Sequence, residues 1–569
     1  MPDYPWIKSY PDGIRWDASI AATPVQHILD EAVARWPDRP AISFMDRQLT
    51  YRELGDLVAR AATGLEHIGV RPGMHVGLYL PNTPHMVIAF FAVLKVGAIV
   101  VNYSPLDAEQ VVAHKVEDSE TDFIITLDLR SLYPQMERLL HRTRLKALVI
   151  GSLAEMSRAP ALVRADMKQA KQVVPFKEDD RHISFATLIA NDGKHAHHEI
   201  GDPTKSIAVL QYTGGTTGLP KGAMLTHANL TVACQQYLMP TQGAARLFTE
   251  GHERTLIVLP LFHIYALTGN MLFCLSIGCE LILHLRFDLE PVLKEIAAKR
   301  VTIFMGVPTM FQAMLTQAGA PAPDLGSIKY CASGGAPLPV ELITAFRERY
   351  GCLLSEGWGM TETSPAGTFN PVGRVPKPGS CGIPLPGIEL RIIDPDAPDT
   401  TVPLGSRGEL CISGPNVMLG YWKSETATAE AYTKDGFFRT GDIAYMDEDG
   451  YVFIVDRLKD MLLCGGYNVY PRNIEEAIYQ HPAIKEVWVI GIPDPYRGQS
   501  PKAFVALKPD ASPISLDEMK AFLKPLLGKH EMISELEVRE MLPKTPVGKL
   551  SKKELADDEF RKRQVAPPN

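Results

Sequence analysis

At 569 residues the chain is too long for one compact core and divides into two or more units. Its composition, 46% hydrophobic and 22% charged, is that of a globular protein, and a formal net charge of -8 argues against a nucleic-acid partner. The eight cysteines include no Cys-x-x-Cys pair, so their spacing offers no zinc template and suits reduced, buried thiols in a cytoplasmic setting.

The N-terminal run Met1-Pro2-Asp3-Tyr4-Pro5 lacks a basic region followed by an apolar core, so no secretory signal is expected. Residues 19–35 read as an opening helix, and residues 41–44 and 47–50 as a hairpin entering a helix over 51–69. Compact apolar strands at 76–80, 99–102 and 123–126 alternate with helical stretches, a βαβ pattern. Residues 160–203 read as polar and irregular; His195, His197 and His198 beside Asp192 and Glu199 form a solvated face, with a metal site as the sharper alternative. Alternation returns with strands at 256–259, 280–283 and 302–306 and an amphipathic helix over 289–299. The apolar runs 86–101 and 264–279 are interrupted by Lys95 and Asn270 and fall short of a membrane span, so both read as buried helix and strand. From about residue 388 short strands at 390–393, 409–413 and 451–455 mark a β-rich section. The main boundary is expected at Arg457/Leu458, dividing the chain into 1–457 and 458–569. The second unit has strands at 487–490, 503–507 and 535–538, a helix over 516–527 and a terminal helix in the 556–569 tail.

Four clusters carry chemistry. Tyr212-Thr213-Gly214-Gly215-Thr216-Thr217-Gly218-Leu219-Pro220-Lys221-Gly222 suits wrapping phosphate: glycines bring backbone N–H groups close to an anion, threonines add donors and Lys221 adds a point charge. The order Lys221-Gly222-Ala223 departs from a Walker P-loop. In Gly357-Trp358-Gly359-Met360-Thr361-Glu362-Thr363, Glu362 suits Mg²⁺, with a helix cap as the bland reading. Trp358 suits either a channel wall or a core, and the Ser333-Gly334-Gly335-Ala336-Pro337 turn either approaches a ligand or ends a strand. Thr440-Gly441-Asp442 with Asp456-Arg457 suits a nucleoside clamp, Asp442 accepting ribose hydroxyls, with a plain Asp- and Gly-rich surface turn as the bland reading. In Pro543-Lys544-Thr545-Pro546-Val547-Gly548-Lys549, Lys549 is the strongest candidate to deliver charge to a phosphate, with a solvated cationic tail as the bland reading, while Lys544, Lys552 and Lys553 read as solvated.

Together with Trp6-Ile7-Lys8-Ser9-Tyr10-Pro11, Leu259-Pro260-Leu261-Phe262-His263-Ile264-Tyr265 and Asn468-Val469-Tyr470-Pro471, these clusters make the chain resemble the adenylate-forming superfamily of acyl-CoA synthetases over nearly its full length, and within it bacterial long-chain fatty-acid-CoA ligases. The resemblance implies an α/β fold: a large N-terminal adenylate-forming domain with α/β subdomains and a β-rich subdomain, and a small mobile α+β C-terminal domain. It implies ATP, Mg²⁺ and coenzyme A, with a fatty acid activated as acyl-AMP and then passed to the thiol. Thr213 to Lys221 would cradle phosphate, with Gly335 and Ala336 beside the nucleotide. Glu362 would hold Mg²⁺, Thr361 would reach the α-phosphate, and Asp442 and Arg457 would hold ribose. Lys549 would act in adenylation, His263 would lie near the adenylate beside the fatty-acid tunnel, and Lys459 would be the hinge that brings Gly465 and Gly466 to the pantetheine passage. A homodimer, peripheral membrane contact and acylation of Lys549 by a lysine acyltransferase also follow from the resemblance. No acidic residue lies in 260–267 to pair with an amino acid's ammonium group, which favours a lipid-like carboxylate. A medium-chain or aryl acid, or loading of a carrier protein, are the rival readings.

Overall fold

The computed structural model describes residues 4–213, 220–243, 246–316, 324–464, 467–509, 511–544 and 552–565. Two seven-stranded sheets form the larger part. The first runs His182–Ser184, Ala147–Gly151, Thr121–Leu127, His75–Leu78, Ile99–Asn102, Ile207–Thr213 and Lys221–Thr226, parallel except for its last pair. That antiparallel pair sets Thr213 opposite Lys221, so the glycine-rich stretch joins two ladder ends. The second runs Leu354–Glu356, Tyr330–Ser333, Ile303–Gly306, Arg254–Ile257, Glu280–Leu283, Pro40–Phe44 and Arg47–Thr50. The expected hairpin at 41–50 is therefore not a free-standing ribbon: Ile42 pairs in parallel with Leu281.

Parallel sheets are covered on both faces, which explains their continuous apolar strands. The helix Pro84–Lys95 is buried at every position from Pro84 to Leu94, so the first apolar run is core, as expected. Among the described residues no helix is long and apolar enough to cross a membrane. The helix Tyr51–His67 starts where a capping box allows it, Thr50 accepting from the Glu53 N–H while Glu53 accepts from the Thr50 N–H.

Four expectations need correction. The opening helix spans only Gln26–Arg35. Pro24 pushes Thr23 out of helical geometry, and Thr23 is instead tied to Thr231, which donates to its carbonyl at 3.1 Å. The polar section holds the helices Pro160–Gln169 and Phe185–Leu188 and the edge strand His182–Ser184; Phe185 and Leu188 supply apolar anchors. In the C-terminal part the helix Leu516–Leu523 stops earlier than expected, and the last helix, Lys552–Val565, starts earlier.

The β-rich section is a four-stranded antiparallel sheet, Glu389–Ile393, Gly408–Ser413, Phe438–Met446 and Val452–Arg457. The N-terminal segment clasps it: Trp6 is buried against Gly450, Ser9 donates to the Asp449 carbonyl at 2.7 Å and Trp16 to that of Ile388 at 2.8 Å. The last sheet pairs Tyr467–Val469, Leu462–Cys464, Gly498–Leu507 and Ile484–Asp494, with Glu535–Val538 added in parallel to Gly498–Leu507. It packs its own cores, separate from that of the larger part.

Candidate active site

The carboxyl ends of Tyr330–Ser333 and Leu354–Glu356 open into a cleft of about 1930 Å³, the place where open α/β sheets present their ligands. Its floor is glycine-rich for a steric reason. A Cβ on Gly359 would lie 1.4 Å from the Pro365 carbonyl oxygen, so only glycine lets this turn close beneath Thr361 and Glu362. Gly335, with φ +76°, is likewise in the left-handed region at the rim.

Asp442 and Arg457 are partners across the ladder of Phe438–Met446 and Val452–Arg457. The Arg457 guanidinium meets Asp442 Oδ1 at 2.8 Å, and the Trp358 indole N–H donates to Oδ2 at 2.8 Å. The carboxylate is buried, which pushes its pKa up, while Arg457 and Trp358 oppose that shift. Thr440 braces the turn: its hydroxyl donates to the Leu410 carbonyl and accepts from the Asp442 N–H.

Glu362 lies on the short turn Thr361–Thr363, fastened from below by Asn416, which donates to the carbonyls of Thr363 and Ala366 at 2.7 Å. Burial raises the Glu362 carboxyl, and the Tyr421 hydroxyl, donating to Oε1 at 2.8 Å, pulls it back down. The same tyrosine ring carries Lys221, whose ammonium sits 5.2 Å from the ring centroid. Tyr421 therefore joins the carboxylate to the lysine that ends the glycine-rich stretch. Among the described residues no group of three or more His, Cys, Asp or Glu could hold a metal by itself. A single buried carboxylate beside a phosphate site fits Mg²⁺, which keeps waters and takes its other ligands from phosphate oxygens.

Thr213, Lys221, His263, Gly335, Ala336, Thr361, Glu362, Asp442 and Arg457 all line this one cleft, and so does Lys459. Gly214, Gly215, Thr216, Thr217, Gly218, Gly465, Gly466 and Lys549 lie outside the described residues. Lys552, expected in solvent, is a correction: it is half-buried, 3.1 Å from Glu475 and 4.5 Å above the Trp488 ring, and it lines the cleft. An ammonium seated on an aromatic face with a carboxylate partner is stable away from water. Sequence reasoning also passed over Tyr421, Glu356 and Arg472.

Glu356 is buried, accepts from the Leu338 N–H at 3.1 Å, and feels the buried Arg472 of the helix Pro471–Tyr479. Burial pushes it up to about 7, and Glu475 likewise to about 7. Both ordinary values are 4.5, so each group contributes stability that is fully present below pH 4.5 and lost as pH rises through about 7. Glu356→Gln is expected to remove its share, up to about 3 kcal/mol. The denaturation midpoint of the ligand-free variant should then fall less than that of the parent between pH 4.5 and 7, and equal slopes would contradict the assignment.

The AMP-binding enzyme family matches residues 29–422, and the AMP-binding enzyme C-terminal domain matches residues 473–549. The chain belongs to the AMP-binding enzyme family. This AMP-binding enzyme is 37% identical over 567 residues to the long-chain-fatty-acid–CoA ligase of Bacillus subtilis (strain 168), with 99% of each chain covered. It is 36% identical over 520 residues to feruloyl-CoA synthase of an Amycolatopsis species, covering 91% of this chain and 96% of that one. Among solved structures it resembles o-succinylbenzoate coenzyme A synthetase from Bacillus subtilis in complex with ATP and magnesium ion, with a TM-score of 0.75, 28% identity, and 94% of this chain and 100% of that one covered. The AMP-binding enzyme is an ATP-dependent, adenylate-forming ligase.

Proposed function

We propose that the enzyme converts a long-chain fatty acid, ATP and coenzyme A into fatty acyl-CoA, AMP and pyrophosphate. The observation that carries this reading is the second arm of the cleft. Beyond Gly334 it is lined by Tyr237, Phe248, Ile264, Tyr265, Gly269, Phe273, Met305 and Tyr330, and no acidic side chain in 260–267 faces an ammonium group. Gly269 widens it: a Cβ there would come within 3.3 Å of Met305 Sδ. An apolar arm opening beside a phosphate-binding floor suits an acid with a long hydrophobic body. The similarity to the Bacillus subtilis ligase supports the same choice.

In the first step a carboxylate oxygen attacks the α-phosphorus and pyrophosphate leaves. Glu362, steadied by Tyr421, would hold a Mg²⁺ ion, whose charge would offset that of the phosphates, and Thr213 to Lys221 would cradle the leaving phosphates. Asp442 accepts the ribose hydroxyls while Arg457 holds the carboxylate in place, and Thr361 and Lys549 attend the α-phosphoryl group as its charge develops. His263, which lines the cleft, would lie near the adenylate. In the second step the coenzyme A thiolate attacks the acyl carbonyl and AMP leaves, with residues 458–569 turning about Lys459 to bring Gly465 and Gly466 to the passage.

A second reading, an aryl acid, is favoured by the aromatic lining of the arm and by the similarity to feruloyl-CoA synthase. Acyl-CoA formation should be measured with saturated acids of graded length and with benzoate and cinnamate, each product confirmed by mass. A maximum among the long chains is expected. A maximum at an aryl acid would replace the first reading with the second, and acyl-AMP without acyl-CoA would point to a carrier-protein acceptor.

A further inference from the structure

The acyl arm contains three phenols that the fold itself leaves unused. Tyr237 on the helix His227–Leu238, Tyr265 at the start of Tyr265–Leu272 and Tyr330 at the start of Tyr330–Ser333 all line the cleft. Their rings are fixed by packing: Tyr237 lies 6.0 Å from Phe273 and Tyr330 6.2 Å from Phe248, and Tyr265 covers Gly334, where a Cβ would lie 3.3 Å from the hydroxyl. The three are close enough for Tyr330 and Tyr237 to raise the pKa of Tyr265. Burial lifts Tyr330 to about 12 and the other two above their ordinary range, so all three stay protonated and able to donate.

Among the described residues none of these hydroxyls has a hydrogen-bond partner, and none is sealed away from the cleft. Several tyrosines elsewhere in the same fold are paired with backbone carbonyls. Tyr51 donates to the Cys279 carbonyl at 2.6 Å, Tyr350 to that of Met314 at 2.7 Å, and Tyr432 to that of Met418 at 2.7 Å. A buried phenol ordinarily finds a partner, and a donor stripped of water with none in return is costly. An unsubstituted alkyl chain filling the arm would expel water from three donors and give nothing back.

We propose that the acid bound in this arm carries an oxygen substituent beyond its carboxylate, a hydroxyl, carbonyl or methoxy group, which accepts hydrogen bonds from Tyr237, Tyr265 and Tyr330. The inference rests on the reading of this arm as the acyl pocket. The shared chemistry, an oxygen acceptor on a hydrophobic body, has two sources: a hydroxylated long chain or a ring-substituted aryl acid. A site built to hydrogen-bond a substrate oxygen discriminates strongly against the analogue that lacks it.

The test compares kcat/KM for matched acids on the full chain with Mg²⁺-ATP and coenzyme A. Hexadecanoate is set against its monohydroxy isomers, and cinnamate against 4-hydroxycinnamate and 4-hydroxy-3-methoxycinnamate, in the parent and in Tyr237→Phe, Tyr265→Phe, Tyr330→Phe and the triple variant. We expect at least one oxygenated acid to exceed its unsubstituted parent by about 10-fold or more, and the ratio to collapse toward one in the phenylalanine variants. Phenylalanine keeps the ring, and the thermal denaturation midpoint of each variant reports that it is folded. Equal use of parent and oxygenated acids, or a preference that survives in the triple variant, overturns the proposal. Preference for a hydroxyhexadecanoate supports it together with the long-chain reading. Preference for a hydroxycinnamate supports it and removes the long-chain reading. Hexadecanoate used without any such preference keeps the long-chain reading and removes this one.

Discussion

Glu362→Gln is expected to slow adenylation by about 10²- to 10³-fold and to raise the Mg²⁺ concentration needed for half-maximal rate. Glutamine matches the shape and still offers an oxygen to the Tyr421 hydroxyl that now meets Oε1 at 2.8 Å, so the loss isolates the carboxylate charge. Tyr421→Phe is the companion change. It keeps the ring under Lys221 but removes the donor that orients the carboxylate, and about a 10- to 100-fold loss is expected, typical of a group one step removed from the ion. ATP–pyrophosphate exchange against Mg²⁺ concentration measures both. If Glu362→Gln stayed within about threefold of the parent at every Mg²⁺ level, the carboxylate would have no part in holding the ion.

The second large effect is at Asp442. Its two oxygens meet Arg457 and Trp358, and each keeps a lone pair for a ribose hydroxyl. Alanine removes both acceptors and leaves a guanidinium and an indole N–H without their partner. Hydrogen bonds to a charged group contribute about 1.5–3 kcal/mol each, so losing two should raise KM for ATP by about 10²- to 10⁴-fold. The sharper readout is 2′-deoxy-ATP. The parent should discriminate against it and Asp442→Ala should not; discrimination that survived in the variant would move the ribose elsewhere.

Much of this site is visible in the chain because its parts are local. The strands Ile99–Asn102, Glu280–Leu283 and Glu535–Val538 fall where short apolar or β-favouring runs predict them. The turn 357–363 reads as functional because glycines flank an acidic residue. What escaped depends on partners distant in sequence. Trp358 is 84 residues from Asp442, and Tyr421 is 59 residues from Glu362. Nothing near Tyr421 marks it, and nothing near Lys552 announces Glu475 or Trp488. The opening helix starts only at Gln26 because Pro24 and the bond between Thr23 and Thr231 fix the segment before it, and that bond joins positions far apart in the chain. The lining of the apolar arm was the least legible feature, since Tyr237, Tyr265 and Tyr330 lie far apart in the chain and come together only in the folded cleft.

The hairpin Pro40–Phe44 and Arg47–Thr50 has a consequence during synthesis. Its sheet partner, Glu280–Leu283, follows about 240 residues later, so at about 5–20 residues per second the ribosome needs on the order of 10 to 50 seconds to supply it. For that interval Ile42 and Phe44, buried in the finished enzyme, are made without the strand that will cover their edge. An unpaired apolar edge is a template for pairing with another chain. Newly made protein should therefore be most prone to aggregation, and most in need of a chaperone, when translation stalls between these two segments.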